Sequence, residues 1–212
     1  MILESIKTVL NNDISLIGTN GKNPVLIIGV VHGDEPQGEF LIRNYLETHS
    51  EIPNNILFIP ALNPDGLELN TRTNANGIDI NRNFPTDNWE KSSGTDDSGE
   101  LNRYFGGESP NSEIETQFVI NVIEKYEPSL IITLHTPFKV VNFDGPAKEI
   151  AEKIGQIFSY PTEESIGYPT PGSFGTWAGI ERNIPILTIE MDEEIPQEDL
   201  ITPFNEMIEI LS

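Results

Sequence analysis

The chain has 212 residues, no cysteine, and 34 acidic against 12 basic side chains, for a formal charge of −22. The length is enough to bury a substantial core in one domain, and the lack of cysteine excludes disulfides, thiolate metal sites and cysteine nucleophiles, so any metal ligand must be imidazole or carboxylate. So acidic a balance also excludes the basic patches that nucleic-acid backbones require, and no apolar run approaches membrane-spanning length.

The acidic residues are scattered through patterned sequence rather than gathered in a tail, as on a solvated surface. Met1–Lys7 lacks an apolar core with a small-residue cleavage site, so a cytoplasmic protein with one domain over residues 1–212 is expected.

The first predicted element is a buried strand at Pro24–Val31, rich in β-branched residues. Gly33, Pro36 and Gly38 stop it, which puts His32-Gly33-Asp34-Glu35 on a turn ahead of a helix over 36–48. A histidine and a glutamate three apart on a turn offer a metal one imidazole and one carboxylate, a different bite from the i, i+4 pair of a helical site. The same four residues also fit a polar turn that only introduces the helix. Asn55–Pro60 reads as a second strand.

The stretch from 63 to 111 is too long for an ordinary connection and is rich in Asn, Gly, Asp and Pro. Residues 63–86 are expected to be functional, with Asn63-Pro64-Asp65-Gly66 as a turn, and 87–111 to form a mobile acidic insertion. Ser112-Glu113-Ile114-Glu115 reads as a capping box that opens a helix through Tyr126, ended by Pro128. A strand at 129–134, a helix at 146–158, a Gly/Pro loop at 167–175, a short helix near 174–182, a strand at 185–189 and a helix at 197–211 follow. This alternation is the pattern of an α/β domain with a mixed, largely parallel sheet, and neither an internal repeat nor a linker divides it.

Three predicted strands run into polar residues: Val31 into His32, Leu134 into His135, and Ile189 into Glu190. Open α/β sheets bind ligands outside the carboxyl ends of their strands, so parallel neighbours would bring these three residues to one edge. The third histidine, His49, reads as a surface residue stabilising a helix C-terminus. His135 alone also fits a hydrogen-bonded core histidine, but with His32 and Glu35 it completes two imidazoles and one carboxylate, which leaves a zinc ion a position for water. Zinc lowers the pKa of such a water to about 7, and a separate carboxylate must take its proton. Glu190 is the candidate; a strand-end acid paired with an arginine is the plainer alternative. Thr71–Pro85 carries Arg72 and Arg82, whose guanidinium forks suit a substrate carboxylate or a developing oxyanion, or else pairing with the abundant acids.

His32-Gly33-Asp34-Glu35, Asn63-Pro64-Asp65-Gly66, Thr71-Arg72, the run from Asp79 to Pro85, Leu134-His135 and Thr188-Ile189-Glu190 together resemble the zinc carboxypeptidases of the carboxypeptidase A type. Val141–Ala147 and Gly167–Thr176 further resemble the bacterial murein peptide amidases of that superfamily. The resemblance implies a single three-layer α/β/α domain around a twisted sheet. It implies one Zn2+ per chain on His32, Glu35 and His135, with Glu190 as general base and later general acid. Arg72 would stabilise the oxyanion, Asn81 and Arg82 would grip a terminal carboxylate, and Tyr168 would close over the substrate. The implied partner is a small peptide with a free terminal carboxylate, cleaved at its γ-D-glutamyl to meso-diaminopimelate bond. Lys139, Asp144 and Arg182 lie close enough to the motifs to contribute to the specificity pocket. Two alternatives are a zinc deacylase resembling aspartoacylase and succinylglutamate desuccinylase, and a non-catalytic peptide-binding member, which would be expected to lack a ligand or the base.

Overall fold

A computed structural model describes residues 1–91, 104–164 and 170–212. The chain opens on an antiparallel hairpin of β1 (Ile2–Lys7) and β2 (Asp13–Gly18). This hairpin lies outside the elements the sequence pattern predicts, because it buries only one face: Ile14 and Leu16 enter the core while Ser5 and Asp13 stay exposed. The strands β3 (Val25–Ile28), β4 (Ile56–Ile59) and β5 (Leu130–His135) are buried throughout, as predominantly apolar runs require when both faces of the sheet are covered. The strands β6 (Val140–Asp144), β7 (Thr162–Glu163) and β8 (Ile186–Glu190) complete an eight-stranded sheet among the described residues, in the order β1-β2-β4-β3-β5-β8-β6-β7.

Its centre, β4-β3-β5-β8, is parallel, while β2 and β6 join it antiparallel. The predicted mixed sheet is therefore present, widened at both edges.

Alternate side chains of the central strands enter two separate cores, as the two-residue period dictates. Val25, Ile27, Phe58, Ile132 and Leu134 pack with α1 (Gln37–Thr48) and with the helices Lys148–Phe158 and Ile201–Leu211. Leu26, Ile28, Leu57, Ile59 and Ile131 pack on the other face with Phe84, Trp177 and the helix Ile114–Tyr126. Three layers result, with the predicted ligands at the carboxyl edge of the middle one.

Several predicted boundaries are corrected. The strand expected to reach Val31 ends at Ile28, because Val30 takes a left-handed conformation, φ 48°, and turns the chain out of the sheet two residues before His32. A β-branched residue pays about 1–3 kcal/mol for that conformation, and such strain concentrates at functional sites. The expected turn at Asn63 is instead a helix, Pro64–Leu69, whose first turn is capped by the Asn63 side chain accepting from the Gly66 N–H at 2.9 Å. The expected capping box does not form: Glu113 is the N-cap residue, and the Ser112 hydroxyl donates instead to the Glu113 carboxylate at 2.6 Å. The short helix near 174–182 is one wide helical turn, Thr176–Ile180. The 87–111 insertion lies partly outside the described residues.

Candidate active site

His135 ends β5 and stands directly opposite Glu190, the last residue of β8, in the parallel register. His32 and Glu35 arrive from the loop beyond β3, a tight turn closed by the Glu35 N–H donating to the His32 carbonyl at 3.2 Å. Gly33 is obligatory there: a Cβ on it would lie 1.9 Å from the Gly66 backbone, so any other residue would push the turn off the helix that follows Asn63.

The triad's side chains face one another. The two oxygens of Glu35 lie 2.8 Å from His32 Nδ1 and 2.8 Å from His135 Nδ1, and all three ligand atoms fall within 4.8 Å of one another. The residues are only 3%, 7% and 2% exposed for His32, Glu35 and His135, so no bulk water competes for these atoms. Two imidazole nitrogens and one carboxylate oxygen are the donor set of a catalytic zinc site, and the outer contacts fit as well. His32 Nε2 lies 3.3 Å from Asp79 Oδ1, and the Thr136 N–H reaches Glu35 Oε2 at 3.4 Å.

Asp79 is the functional residue that sequence reading missed. It is fully buried, faces His32 on one side, and on the other accepts from Arg72 Nε at 3.0 Å. Its Oδ1 also caps the short turn Ile80–Arg82 through the Asn81 N–H at 2.9 Å. The signal was an aspartate two residues ahead of Asn81 in an otherwise polar loop, the spacing of an Asx turn. Burial works to raise Asp79, but Arg72 and His32 outweigh it and hold the carboxyl well below the ordinary range. Burial also works to raise Glu35, and the two imidazoles overcome it in the same way. His32 loses basicity through burial yet is raised to about 9 by Glu35 and Asp79.

Glu190 lines the same cavity with its Oε2 buried and unpartnered. Burial raises its pKa against the pull of His135, and the Glu35 charge adds to the rise. A strand-end acid paired with an arginine, the plainer alternative, is not what the structure holds among its described ion pairs.

The loop that carries Arg72 and Asp79 is tied down by polar contacts. Asn74 and Asn76 donate to Glu113 at 2.7 and 2.8 Å, and Asn83 donates to Ser112 at 2.9 Å. Arg72 and Arg82 both pack over the Tyr104 ring, at 5.1 and 5.7 Å from its centroid. Asn81 accepts the Phe174 N–H through Oδ1 at 2.9 Å, which leaves its amide NH2 as the available donor.

A cavity of about 610 Å³ joins these groups; His32, Glu35, His135, Glu190, Arg72, Asn81 and Arg82 all line it. Tyr168 lies outside the described residues. Lys139 is turned away to Asp192 and Glu194, and Arg182 packs 4.0 Å over Trp177, so neither joins the lining, whereas Asp144 does. His49 sits exposed at the end of α1, stacked on Tyr45 at 4.1 Å, as expected of a helix-end histidine.

The zinc carboxypeptidase family model matches residues 7–152, the stretch that carries all three candidate ligands. The chain belongs to the zinc carboxypeptidase family. It is 33% identical over 172 residues to murein peptide amidase A of Escherichia coli (strain K12), a match covering 78% of this chain and 69% of that one. Murein peptide amidase A of Vibrio campbellii is 33% identical over 181 residues, covering 78% and 68%. The crystal structure of murein-tripeptide amidase MpaA from Escherichia coli O157 superposes with a TM-score of 0.83 at 28% identity, over 97% of this chain and 89% of that one. Carboxypeptidase A of Helicoverpa armigera shares the fold, with a TM-score of 0.72 at 17% identity over 99% of this chain and 68% of that one. This family member is therefore a hydrolase of the metallopeptidase type. The expected α/β fold and family are both borne out.

Proposed function

We propose that this chain is a one-zinc amidase of carboxypeptidase type that releases meso-diaminopimelate from γ-D-glutamyl murein peptides. The observation that carries the reading is the convergence of His32, Glu35 and His135 within 4.8 Å, in a cavity that Glu190, Arg72, Asn81 and Arg82 also line. His32, Glu35 and His135 hold the metal. When bound, zinc polarises the scissile carbonyl and makes a water acidic enough to ionise near neutral pH.

The protein's own residues do the rest. Glu190, its carboxylate raised by burial, takes the proton from the attacking water and returns it to the departing amine. Arg72, aimed by its contact with Asp79, stabilises the oxyanion, a role worth about 3–4 kcal/mol when one such donor is removed. The amide NH2 of Asn81 and the guanidinium of Arg82 grip the free carboxylate of the released residue. Asp79 fixes His32 and Arg72 together, so metal binding and oxyanion binding share one support.

The murein substrate is supported by relatives named as murein peptide amidases that match over most of this chain. The same reading implies peptidoglycan recycling in the cytoplasm as its setting. The presence of all three ligands and of Glu190 weighs against a non-catalytic binding protein. The test is release of meso-diaminopimelate from L-Ala-γ-D-Glu-meso-diaminopimelate by zinc-loaded protein, with a chelated sample alongside. Chelator-sensitive release is expected. No release by folded, zinc-containing protein would overturn the murein assignment.

A further inference from the structure

The Asn63-Pro64-Asp65-Gly66 motif takes no direct part in the proposed reaction, yet it lies where three segments meet. Leu62 and Asn63 follow β4 and run beside the chain that leaves β3. The Leu62 N–H donates to the Gly29 carbonyl at 3.0 Å, and the Asn63 N–H to the Val30 carbonyl at 2.8 Å. Val30 is the left-handed residue that turns the chain toward His32, and strain of that kind persists only where surrounding groups fix it.

The fully buried side chain of Asn63 reaches further along the same turn. Its Oδ1 accepts the Gly66 N–H at 2.9 Å and so caps the helix Pro64–Leu69, which settles the orientation of the carboxamide. The NH2 at its other end lies 3.4 Å from the Val31 carbonyl and 3.3 Å from the Arg72 carbonyl. The Gly33 N–H also donates to the Arg72 carbonyl, at 3.4 Å. These bonds are long, but with Asn63 wholly excluded from water, a donor that lost them would be left buried and unsatisfied. Gly66 permits the approach, since a Cβ on it would lie 2.4 Å from Asn63 Nδ2 and 2.5 Å from the Thr73 carbonyl. Aspartate would cap this helix as well but carries no N–H, and the hydroxyl of serine stops one bond short of the NH2. Asp65, also fully buried, ties the motif to the tip of the β1-β2 hairpin: it accepts from the Thr8 hydroxyl at 2.5 Å, Asn12 Nδ2 at 2.9 Å and the Leu10 N–H at 3.0 Å.

We infer that Asn63 is a positioning residue whose carboxamide NH2 holds the metal-binding turn and the backbone of Arg72 at a fixed separation. Asp79 joins His32 and Arg72 through their side chains; Asn63 joins the peptide that precedes His32 to the carbonyl of Arg72. The inference rests on the proposed roles of the zinc triad and Arg72, but not on murein as the substrate.

The experiment uses Asn63→Ser and Asn63→Asp, each of which keeps a cap oxygen and loses the NH2; the second is equal in size and leaves no cavity. Zinc affinity is measured by competition with a chromogenic chelator, which requires no turnover, and kcat on L-Ala-γ-D-Glu-meso-diaminopimelate at saturating zinc. Both variants should bind zinc about tenfold more weakly and lose about tenfold in kcat. In an Arg72→Ala background the same substitutions should lower kcat by less than about twofold, because the residue they act through is gone. Asp65→Asn, which loosens only the hairpin attachment, should lower Tm yet leave zinc affinity within about twofold. Unchanged zinc affinity in a folded Asn63 variant overturns the inference, as does an equal loss of kcat with and without Arg72. Zinc weakened as much by Asp65→Asn overturns it too, since the cause is then general loosening. Failure of the unsubstituted protein to cleave the tripeptide would overturn the murein reading alone, because the zinc comparison still decides the role of Asn63.

Discussion

One wall of the cavity stands on strands and the other on loops, and each is held by different forces. His135, Glu190, Asn142 and Asp144 project from β5, β8 and β6, where register sets their spacing and Leu134, Ile189, Val141 and Phe143 anchor the intervening positions in the core. His32, Glu35, Arg72, Asp79, Asn81 and Arg82 come from loops whose positions depend on buried polar contacts such as Arg72 to Asp79 and Asn74 to Glu113. In the strand wall a substitution leaves the backbone held by its register, even at His135, which shares a contact with Glu35. In the loop wall it also leaves a buried partner unsatisfied, so damage spreads to neighbours.

The largest effect that tests this contrast is His135→Ala, which removes one of three ligands. Metal analysis of the purified variant should find no bound zinc, with a folded far-UV spectrum retained because β5 keeps its backbone pairing and its core neighbours. Zinc retained at full stoichiometry would remove His135 from the ligand set. Next is Glu190→Gln, another strand-wall change. Zinc content should be unchanged while kcat falls by about 10²–10⁴, the range for a lost general base, and a variant with normal turnover would sink the proposed mechanism.

Asp79→Asn probes the loop wall. It touches no substrate, yet it should weaken zinc binding by about 10–100-fold and lower kcat together, because one carboxylate supports both His32 and Arg72. If only kcat changed and zinc affinity did not, the shared support would be wrong.

The smallest effect concerns stability. Glu115 is buried beneath the Arg72 loop and accepts from Asn74 at 3.2 Å; burial, aided by Glu113 and Asp65, raises its carboxyl from 4.5 to about 7. Between these values the native state holds a proton that the unfolded chain has lost, so stability falls as pH rises through the window and stays lower above it. Near pH 4.5 and below, both states are protonated and the penalty disappears. At pH 8 the penalty is at most about 3 kcal/mol. Glu115→Gln should therefore raise Tm above pH 7 and change it little near pH 4.5. An equal shift at both pH values would show that Glu115 titrates normally.

The strand wall was the more legible of the two from sequence. Leu130–Leu134 and Ile186–Ile189 are aliphatic runs interrupted only by Thr133 and Thr188, so the ionisable residue that ends each one stands out, and parallel sheets place such residues at a common edge. Of the loop wall, the pattern of residues reveals which side chains are present but not their pairing. Arg72 and Arg82 look alike in sequence, and only the structure gives Asp79 to Arg72 and Tyr104 to both. Asp144 was visible by proximity, as were Lys139 and Arg182; the fold kept the first in the cavity and turned the other two away.

By itself the sequence determined the α/β layering, the strand ends that bear His135 and Glu190, and the ligand types, because periodicity, chain-breaking residues and the absence of cysteine are local properties. The tertiary structure alone decided the left-handed turn at Val30, the replacement of the Ser112 cap by Glu113, the bond of Asp79 to two partners, and the place of Asn142 and Asp144 in the cavity lining. Those features arise where segments distant in sequence compete for the same buried space and the same hydrogen-bonding groups, and no local pattern records the outcome of that competition.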